Sequence, residues 1–190
     1  GTGEIMSFHP YAARILETDK LRIFSYWRVQ DREKESARIV EGLERVTRVA
    51  EKEKIRLCIE NEAACNLADC RETSALLKKI NSPYLGMAWD VVNGTSTGEN
   101  PYPDGFSALD TRRVWHTHIK DYRHNPATGR RQICAVGDGQ TPYREIFTAL
   151  GKAGYTGALS METHFSLNGS KEAASRRSMD GLVKVVESLA

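Results

Sequence analysis

Four short apolar segments of this chain each end in a side chain that can bind a metal ion. The four candidate ligands are Glu60, Asp90, His118 and Glu162. They follow one another at intervals of 30, 28 and 44 residues, and each interval suits one strand–loop–helix–loop unit. Since parallel strands joined by helices have their C-terminal ends at one edge of the sheet, three carboxylates and one imidazole are expected to converge there.

Such a set of ligands is dominated by oxygen and suits a hard divalent cation, Mn²⁺ first, with Mg²⁺, Co²⁺ and Zn²⁺ as alternatives. A cation of this kind can hold the oxygens of a hydroxy-carbonyl compound and stabilise the enediolate that forms when a neighbouring C–H proton leaves. A carboxylate next to the cation can act as the base. We therefore expect a divalent-metal enzyme that acts on a small molecule.

Each of these residues also has a structural interpretation when it is taken alone. Glu60 and Asp90 could cap the helices that follow them, and Glu162 could pair with a lysine or an arginine. His116 and His118 are two residues apart in a strand and point to the same face, so their spacing does not choose between them. The metal site is favoured because the candidates recur at the same place in successive units.

Strands and helices are predicted to alternate around these positions. Apolar runs predict strands at 21–27, 55–60, 84–90, 114–120 and 157–162. Periodic patterns predict helices at 33–54, 67–80, 143–153 and 171–189, the end of a helix at 10–17 and a short helix at 106–109. The stretches 93–105 and 121–141, both interrupted by glycines, are expected to be irregular. Nearly continuous apolar strands that alternate with helices indicate an α/β fold with a parallel sheet.

The composition fits one ordinary globular domain. Lys and Arg number 27 against 25 Asp and Glu, so the net charge is +2, and we expect neither a nucleic-acid nor a membrane partner. Apolar runs stay below the roughly 18 residues that cross a bilayer, and residues 1–10 lack the pattern of a signal peptide. The four cysteines form no CxxC pair, which is typical of reduced thiols in the cytoplasm.

The chain resembles the sugar isomerase/epimerase superfamily, with its xylose-isomerase-like TIM barrel, from about Thr18 to the C-terminus. The motifs that carry the resemblance are Leu21–Ser25, Ile59–Asn61, Ala88–Asn93, His116–Asp121, Gly137–Gly139 and Gly154–Glu162. Members include ketose 3-epimerases, hydroxypyruvate isomerase and inosose dehydratase, and endonuclease IV is a more distant relative. In this order the motifs are specific for the superfamily but not for a substrate.

The resemblance implies a role for each candidate ligand. Glu60, Asp90, His118 and Glu162 would bind one divalent metal ion, with His118 preferred to His116. Glu60 and Glu162 would also be catalytic, because in the epimerases two glutamates flank the substrate. One of them removes a proton and the other returns one to the opposite face.

Two positions depart from the ketose 3-epimerase pattern. Asn93 stands where a substrate-contacting histidine is common, and His124, with Arg123 beside it, stands where an arginine is common. Both departures argue against a standard ketose 3-epimerase. We expect Asn93, His116, Lys120 and Arg123 to contact a sugar or polyol substrate.

The length of the chain points to part of a barrel. A TIM barrel has eight strands in about 250 residues, whereas this chain supplies five strands, which match the last five of the family. We therefore expect residues 1–190 to form one domain, the C-terminal part of a barrel that lacks its first three β/α units, as a fragment or one part of a split barrel. The exposed edges of such an arc favour a homo-oligomer.

Several functions are alternatives to an isomerase or epimerase. A metal-dependent dehydratase of a cyclic polyol ketone would use the same site, with His116 or Lys120 as the acid. A DNA-repair endonuclease is disfavoured by the nearly neutral charge, and Gly137–Gly139 lacks the third glycine of a dinucleotide-binding loop. A non-catalytic barrel fragment is the remaining alternative.

Overall fold

The computed structural model describes residues 10–189. Within them the strands are β1 (Lys20–Phe24), β2 (Arg56–Glu60), β3 (Leu85–Asp90), β4 (Val114–Ile119), β5 (Asp121–His124), β6 (Arg131–Cys134) and β7 (Ala158–Met161). The helices are α1 (Pro10–Ile15), α2 (Arg32–Glu53), α3 (Cys70–Lys79), α4 (Phe106–Ala108), α5 (Tyr143–Lys152) and α6 (Lys171–Glu187). Shorter helical turns cover Asn93–Thr97, Pro101–Gly105 and Thr111–Arg113.

Five of the strands form one parallel sheet in the order β1-β2-β3-β4-β7. Along the chain, α2, α3, α4 and α5 lie between successive strands of this sheet and α6 follows β7, an alternation typical of α/β folds. The five strands form a half-barrel of the xylose-isomerase-like type, which confirms the fold class predicted from the sequence. In residues 10–189, no helix is both long enough and apolar enough to cross a membrane.

The core lies between the convex side of this sheet and the helices. Leu57, Ile59, Leu85 and Met87 are almost completely buried and pack with apolar residues of α2 and α3. Since side chains alternate along a strand, the residues between them point to the concave side. Glu60, at the end of β2, belongs to this concave set.

The register of the sheet sets the height of each concave residue. Glu60 pairs with Ala88, so Asp90 lies two residues further along its strand. Asp90 pairs directly with His118, and His118 pairs with Ser160, so Glu162 again lies two residues further along. This stagger is typical of strands tilted in a barrel. The stagger brings side chains of strands that are not neighbours close together on the concave side of the curved sheet.

The structure corrects several predicted boundaries. β1 ends at Phe24 rather than at 27, where Trp27 forms only an isolated bridge with Cys65. α3 begins at Cys70 rather than at 67, because the side chain of Asp69 accepts a hydrogen bond from the backbone N–H of Glu72 and caps the helix. The absence of a signal peptide was predicted from residues 1–10, and residues 1–9 lie outside the described part of the chain.

The larger difference concerns residues 121–141. They were predicted to be irregular, but β5 and β6 form an antiparallel hairpin there. Its strands are short and mostly polar, so they lack the apolar alternation that indicates a strand. Residues 93–105, also expected to be irregular, contain two of the helical turns.

Candidate metal centre

The four predicted ligands come together at the C-terminal edge of the parallel sheet. Glu60 and Asp90 are the last residues of β2 and β3, His118 is the last but one of β4, and Glu162 directly follows β7. One ligand atom of each lies within 4.8 Å of those of the others. The Nδ1 atom of His118 lies 3.0 Å from Glu60 Oε1 and 3.4 Å from Glu162 Oε1.

Asp90 is the most deeply buried member of the cluster. Its side chain is 0% exposed, and its Oδ1 atom accepts hydrogen bonds from the backbone N–H groups of Val92 (2.9 Å) and Asn93 (2.8 Å). Its Oδ2 atom accepts no hydrogen bond from the described residues, although Lys120 Nζ lies 2.7 Å away as an ion-pair partner. Among the described residues the partner of this buried oxygen is thus a lysine ammonium, and a bound divalent cation would also compensate its charge.

Two cations complete the cluster. Lys120 Nζ, which lies just beyond β4, is 2.7 Å from Asp90 Oδ2 and 3.4 Å from Glu162 Oε2. Arg22 reaches across from β1, with Nη1 2.9 Å from Glu60 Oε2 and 3.4 Å from Glu162 Oε1. The two protein cations offset only part of the negative charge of the three carboxylates. The donor set of three carboxylates and one imidazole fits a hard divalent ion.

Asn61 fixes the position of Asp90 relative to β2. Its Nδ2 atom donates to the backbone carbonyl of Asp90 (2.9 Å), and its Oδ1 atom accepts from the backbone N–H of Asp90 (2.8 Å). Asn61 is fully buried, so these two bonds hold the ends of two adjacent strands at a constant distance. Sequence analysis did not identify this positioning role, although Asn61 directly follows Glu60 in one of the motifs.

Comparison with known proteins assigns the fold to a family. A family model described as the xylose isomerase-like TIM barrel matches residues 5–185. The chain belongs to this family. Among curated proteins, none matches the chain in sequence.

Solved structures share the fold of this xylose isomerase-like barrel at low sequence identity. The IolI protein with a bound zinc atom has a TM-score of 0.76 at 16% identity, covering 95% of this chain and 67% of its own. A D-tagatose 3-epimerase-like protein has a TM-score of 0.72 at 18% identity, covering 95% and 66%. AsbF from Bacillus anthracis, described as a probable 3-DHS dehydratase, has a TM-score of 0.73 at 18% identity, covering 92% and 66%. The chain thus spans about two thirds of the length of these proteins.

Burial and charge shift pKa values within the cluster in different directions. Burial raises the pKa of Asp90, against the opposing effect of Lys120. Burial also acts to raise the pKa of Glu162, but the hydrogen bond with His164 and the charges of His118 and Lys120 leave that pKa lowered. For His118 and Lys120, burial acts to lower the pKa, but the surrounding carboxylates raise it further than burial lowers it. The carboxylates of this barrel therefore create a site that favours positive charge.

Only some of the residues predicted to contact substrate border the cluster of candidate ligands. Asn93 is buried and its Nδ2 atom lies 3.4 Å from Glu60 Oε1, so it borders the cluster, as Lys120 does. The ring of His116 packs edge-on against that of His118 at 5.2 Å, and burial lowers the pKa of His116. Arg123 is exposed on the β5–β6 hairpin.

Arg22 is the member of the cluster that sequence reasoning missed. It lies within the motif Leu21–Ser25, but its strand carries none of the candidate ligands, so no spacing argument led to it. A charged residue between apolar neighbours in a predicted strand was the available signal. The structure brings it into direct contact with two candidate ligands that are 38 and 140 residues away in sequence.

Proposed function

We propose that this chain binds one divalent metal ion through Glu60, Asp90, His118 and Glu162 and provides the site of a sugar isomerase or epimerase. The substrate would be a sugar or a related hydroxy-carbonyl compound. The observation that carries the proposal is the convergence of these four side chains, among which Asp90 Oδ2 accepts no backbone hydrogen bond and faces Lys120. Because the chain spans about two thirds of its structural relatives, the activity of the whole protein is part of the proposal.

A divalent ion, when bound, would supply positive charge that stabilises an enediolate oxygen. The oxygen-rich ligand set favours Mn²⁺, and Mg²⁺ or Co²⁺ would fit the same donors. Zn²⁺ is a further candidate, because the similar IolI structure contains a zinc atom.

The two glutamates are placed to move a proton. Both Glu60 Oε1 and Glu162 Oε1 contact the same nitrogen of His118, yet they come from β2 and β7, which are separated by two strands. Carboxylates that face one point from different sides suit removal of a proton by one and its return by the other. The hydrogen bond with His164 and the charges of His118 and Lys120 lower the pKa of Glu162, which favours its ionised form.

A metal-dependent dehydratase is the second candidate, and Lys120 favours it. Loss of hydroxide needs an acid beside the base, and Lys120 Nζ lies 3.4 Å from Glu162 Oε2. The dehydratase among the similar structures supports this alternative by analogy of fold alone. The two reactions differ in product, since only the dehydratase releases water.

The first experiment is to measure the metal content of the purified chain, with and without Mn²⁺ loading, for the wild type, His118→Ala and His124→Ala. His124 is an exposed histidine bonded to Gln140 on the hairpin and serves as the control. We expect one equivalent of metal in the wild type and the control, and its loss in His118→Ala. Equal metal content in all three proteins would contradict the ligand assignment.

The second step tests the reaction itself. Ketoses and inososes are incubated with the Mn²⁺-loaded protein in D₂O, and exchange of carbon-bound protons is followed by NMR. Exchange without loss of water supports the isomerase or epimerase, and release of water supports the dehydratase. Metal binding without exchange on any ketose or inosose would count against both reactions.

A further inference from the structure

Arg22 is bound to the cluster by only part of its guanidinium group. Its side chain is 45% exposed, whereas those of Glu60 and Lys120 are 2% and 7% exposed. Its hydrogen bonds to Glu60 and Glu162 both use Nη1. Among the described residues, neither Nε nor Nη2 has a hydrogen-bond acceptor, so two donors of the fork remain available.

The guanidinium group also packs against an aromatic ring of its own strand. Its central carbon lies 4.7 Å from the centre of the Phe24 ring, two residues further along β1. Stacking on an aromatic ring restricts an arginine that would otherwise lose considerable entropy on binding a ligand. The planar fork matches the two oxygens of a carboxylate or phosphate.

The charges of the site show what such a fork would bind. Without a metal ion, the carboxylates of Glu60, Asp90 and Glu162 face Arg22 and Lys120. If a divalent cation joins the same carboxylates, positive charge exceeds negative charge within a buried site. A site of this kind attracts an anionic ligand, because a neutral one would leave the excess charge unpaired.

We propose that Arg22 binds an anionic group, a carboxylate or a phosphate, on the hydroxy-carbonyl substrate. This inference rests on the proposed function and names the class of its substrate. Arg22 would orient the anionic end of the molecule while its hydroxy-carbonyl end lies at the metal ligands. Lys120 is less suited to this role, because it is buried and already paired with Asp90.

Three probes that share a hydroxymethyl ketone separate the contributions. Dihydroxyacetone is neutral, hydroxypyruvate adds a carboxylate, and dihydroxyacetone phosphate adds a phosphate. Their dissociation constants are measured by calorimetry on the Mn²⁺-loaded wild type, Arg22→Gln, Arg22→Lys and Lys20→Gln. Lys20 is the control because it lies on the same face of β1 but pairs with Asp19.

We expect at least one anionic probe to bind the wild type about tenfold or more tightly than dihydroxyacetone. This preference should be lost in Arg22→Gln, reduced in Arg22→Lys, which keeps the charge without the fork, and retained in Lys20→Gln. The identity of the preferred probe distinguishes a carboxylate from a phosphate. Metal affinity is measured in parallel, and we expect it not to fall in Arg22→Gln, since a competing cation has been removed.

Other outcomes would overturn the inference in distinguishable ways. An equal anionic preference in wild type and Arg22→Gln, or in wild type and Arg22→Lys should Arg22→Gln lose its metal, would remove Arg22 from substrate binding. Metal-dependent binding of all three probes with equal affinity would reject an anionic substrate and leave the proposed function standing. Failure of the metal-loaded wild type to bind any probe would count against both.

Discussion

Two buried aspartates of this protein, Asp90 and Asp121, have opposite surroundings. Asp121 is 1% exposed, and each of its oxygens accepts two hydrogen bonds from backbone N–H groups. The donors are Tyr122 (2.8 Å), Gly137 (3.0 Å), Gly139 (3.1 Å) and Thr141 (3.1 Å). Asp90 is equally buried, but only its Oδ1 atom is bonded in this way, and its Oδ2 atom faces Lys120 and the other candidate ligands.

The difference separates a carboxylate that holds the fold together from one that is a candidate metal ligand. Three of the four donors of Asp121 fasten the segment 137–141 to the start of β5, and a Cβ atom on Gly139 would collide with the Asp121 carboxylate. No lone pair of Asp121 is directed at a ligand. Asp90 uses half of its carboxylate to hold the loop after β3 and leaves the other half for a cation. Burial alone therefore does not distinguish the two aspartates, whereas the hydrogen bonds of their oxygens do.

The largest expected effect concerns the reaction rather than the fold. Glu162→Gln keeps the shape of the side chain but removes the proton acceptor, so turnover of a substrate found in the exchange screen should fall about a thousandfold. The unfolding midpoint in urea should stay close to that of the wild type. Glu172→Gln, which changes an exposed glutamate of α6, is the control and should keep full turnover. Wild-type turnover in Glu162→Gln would remove Glu162 from the mechanism.

The second-largest effect should appear at Asp121, where both carboxylate oxygens accept two backbone hydrogen bonds. Asp121→Asn turns one acceptor into a donor that faces two backbone N–H groups, so the free energy of unfolding should fall by about 3 kcal/mol. Asp138→Asn, in the same segment, breaks only a half-exposed ion pair with Arg177 and should cost less than about 1 kcal/mol. Urea denaturation measures both. Similar losses in the two variants would show that the four backbone bonds of Asp121 are not a special feature.

The smallest of the three effects should appear at Asp90, where only one carboxylate oxygen accepts backbone hydrogen bonds. Asp90→Asn removes the negative charge next to the candidate ligands, and Mn²⁺ affinity should weaken at least about tenfold, which corresponds to about 1.4 kcal/mol. Asp121→Asn, compared at a temperature where it is folded, should bind Mn²⁺ as the wild type does. Calorimetric titration of both variants gives the answer. Unchanged affinity in Asp90→Asn, or an equal loss in Asp121→Asn, would abolish the distinction between the two aspartates.

The parallel sheet could be predicted because its strands are strongly apolar. β2 and β3 are buried on both faces, so their sequences are continuous hydrophobic runs that end in Glu60 and Asp90. The β5–β6 hairpin could not be predicted in this way, since only one of its eight strand residues, Cys134, is a buried apolar residue. Its two strands are held by pairing with each other and by the hydrogen bonds of Asp121. Neither interaction produces a periodic pattern in the sequence.

The sequence by itself determined that acidic and histidine residues lie at the ends of successive strands of a parallel sheet. Chain connectivity is sufficient for this, because strand–helix units place every C-terminal strand end on one edge. Only the tertiary structure decided how these side chains meet: that Arg22 bridges Glu60 and Glu162, that Asn61 fixes Asp90, and that Arg123 stays exposed. Those contacts depend on register, tilt and side-chain direction across the sheet, which arise from packing of the whole chain and not from any local segment.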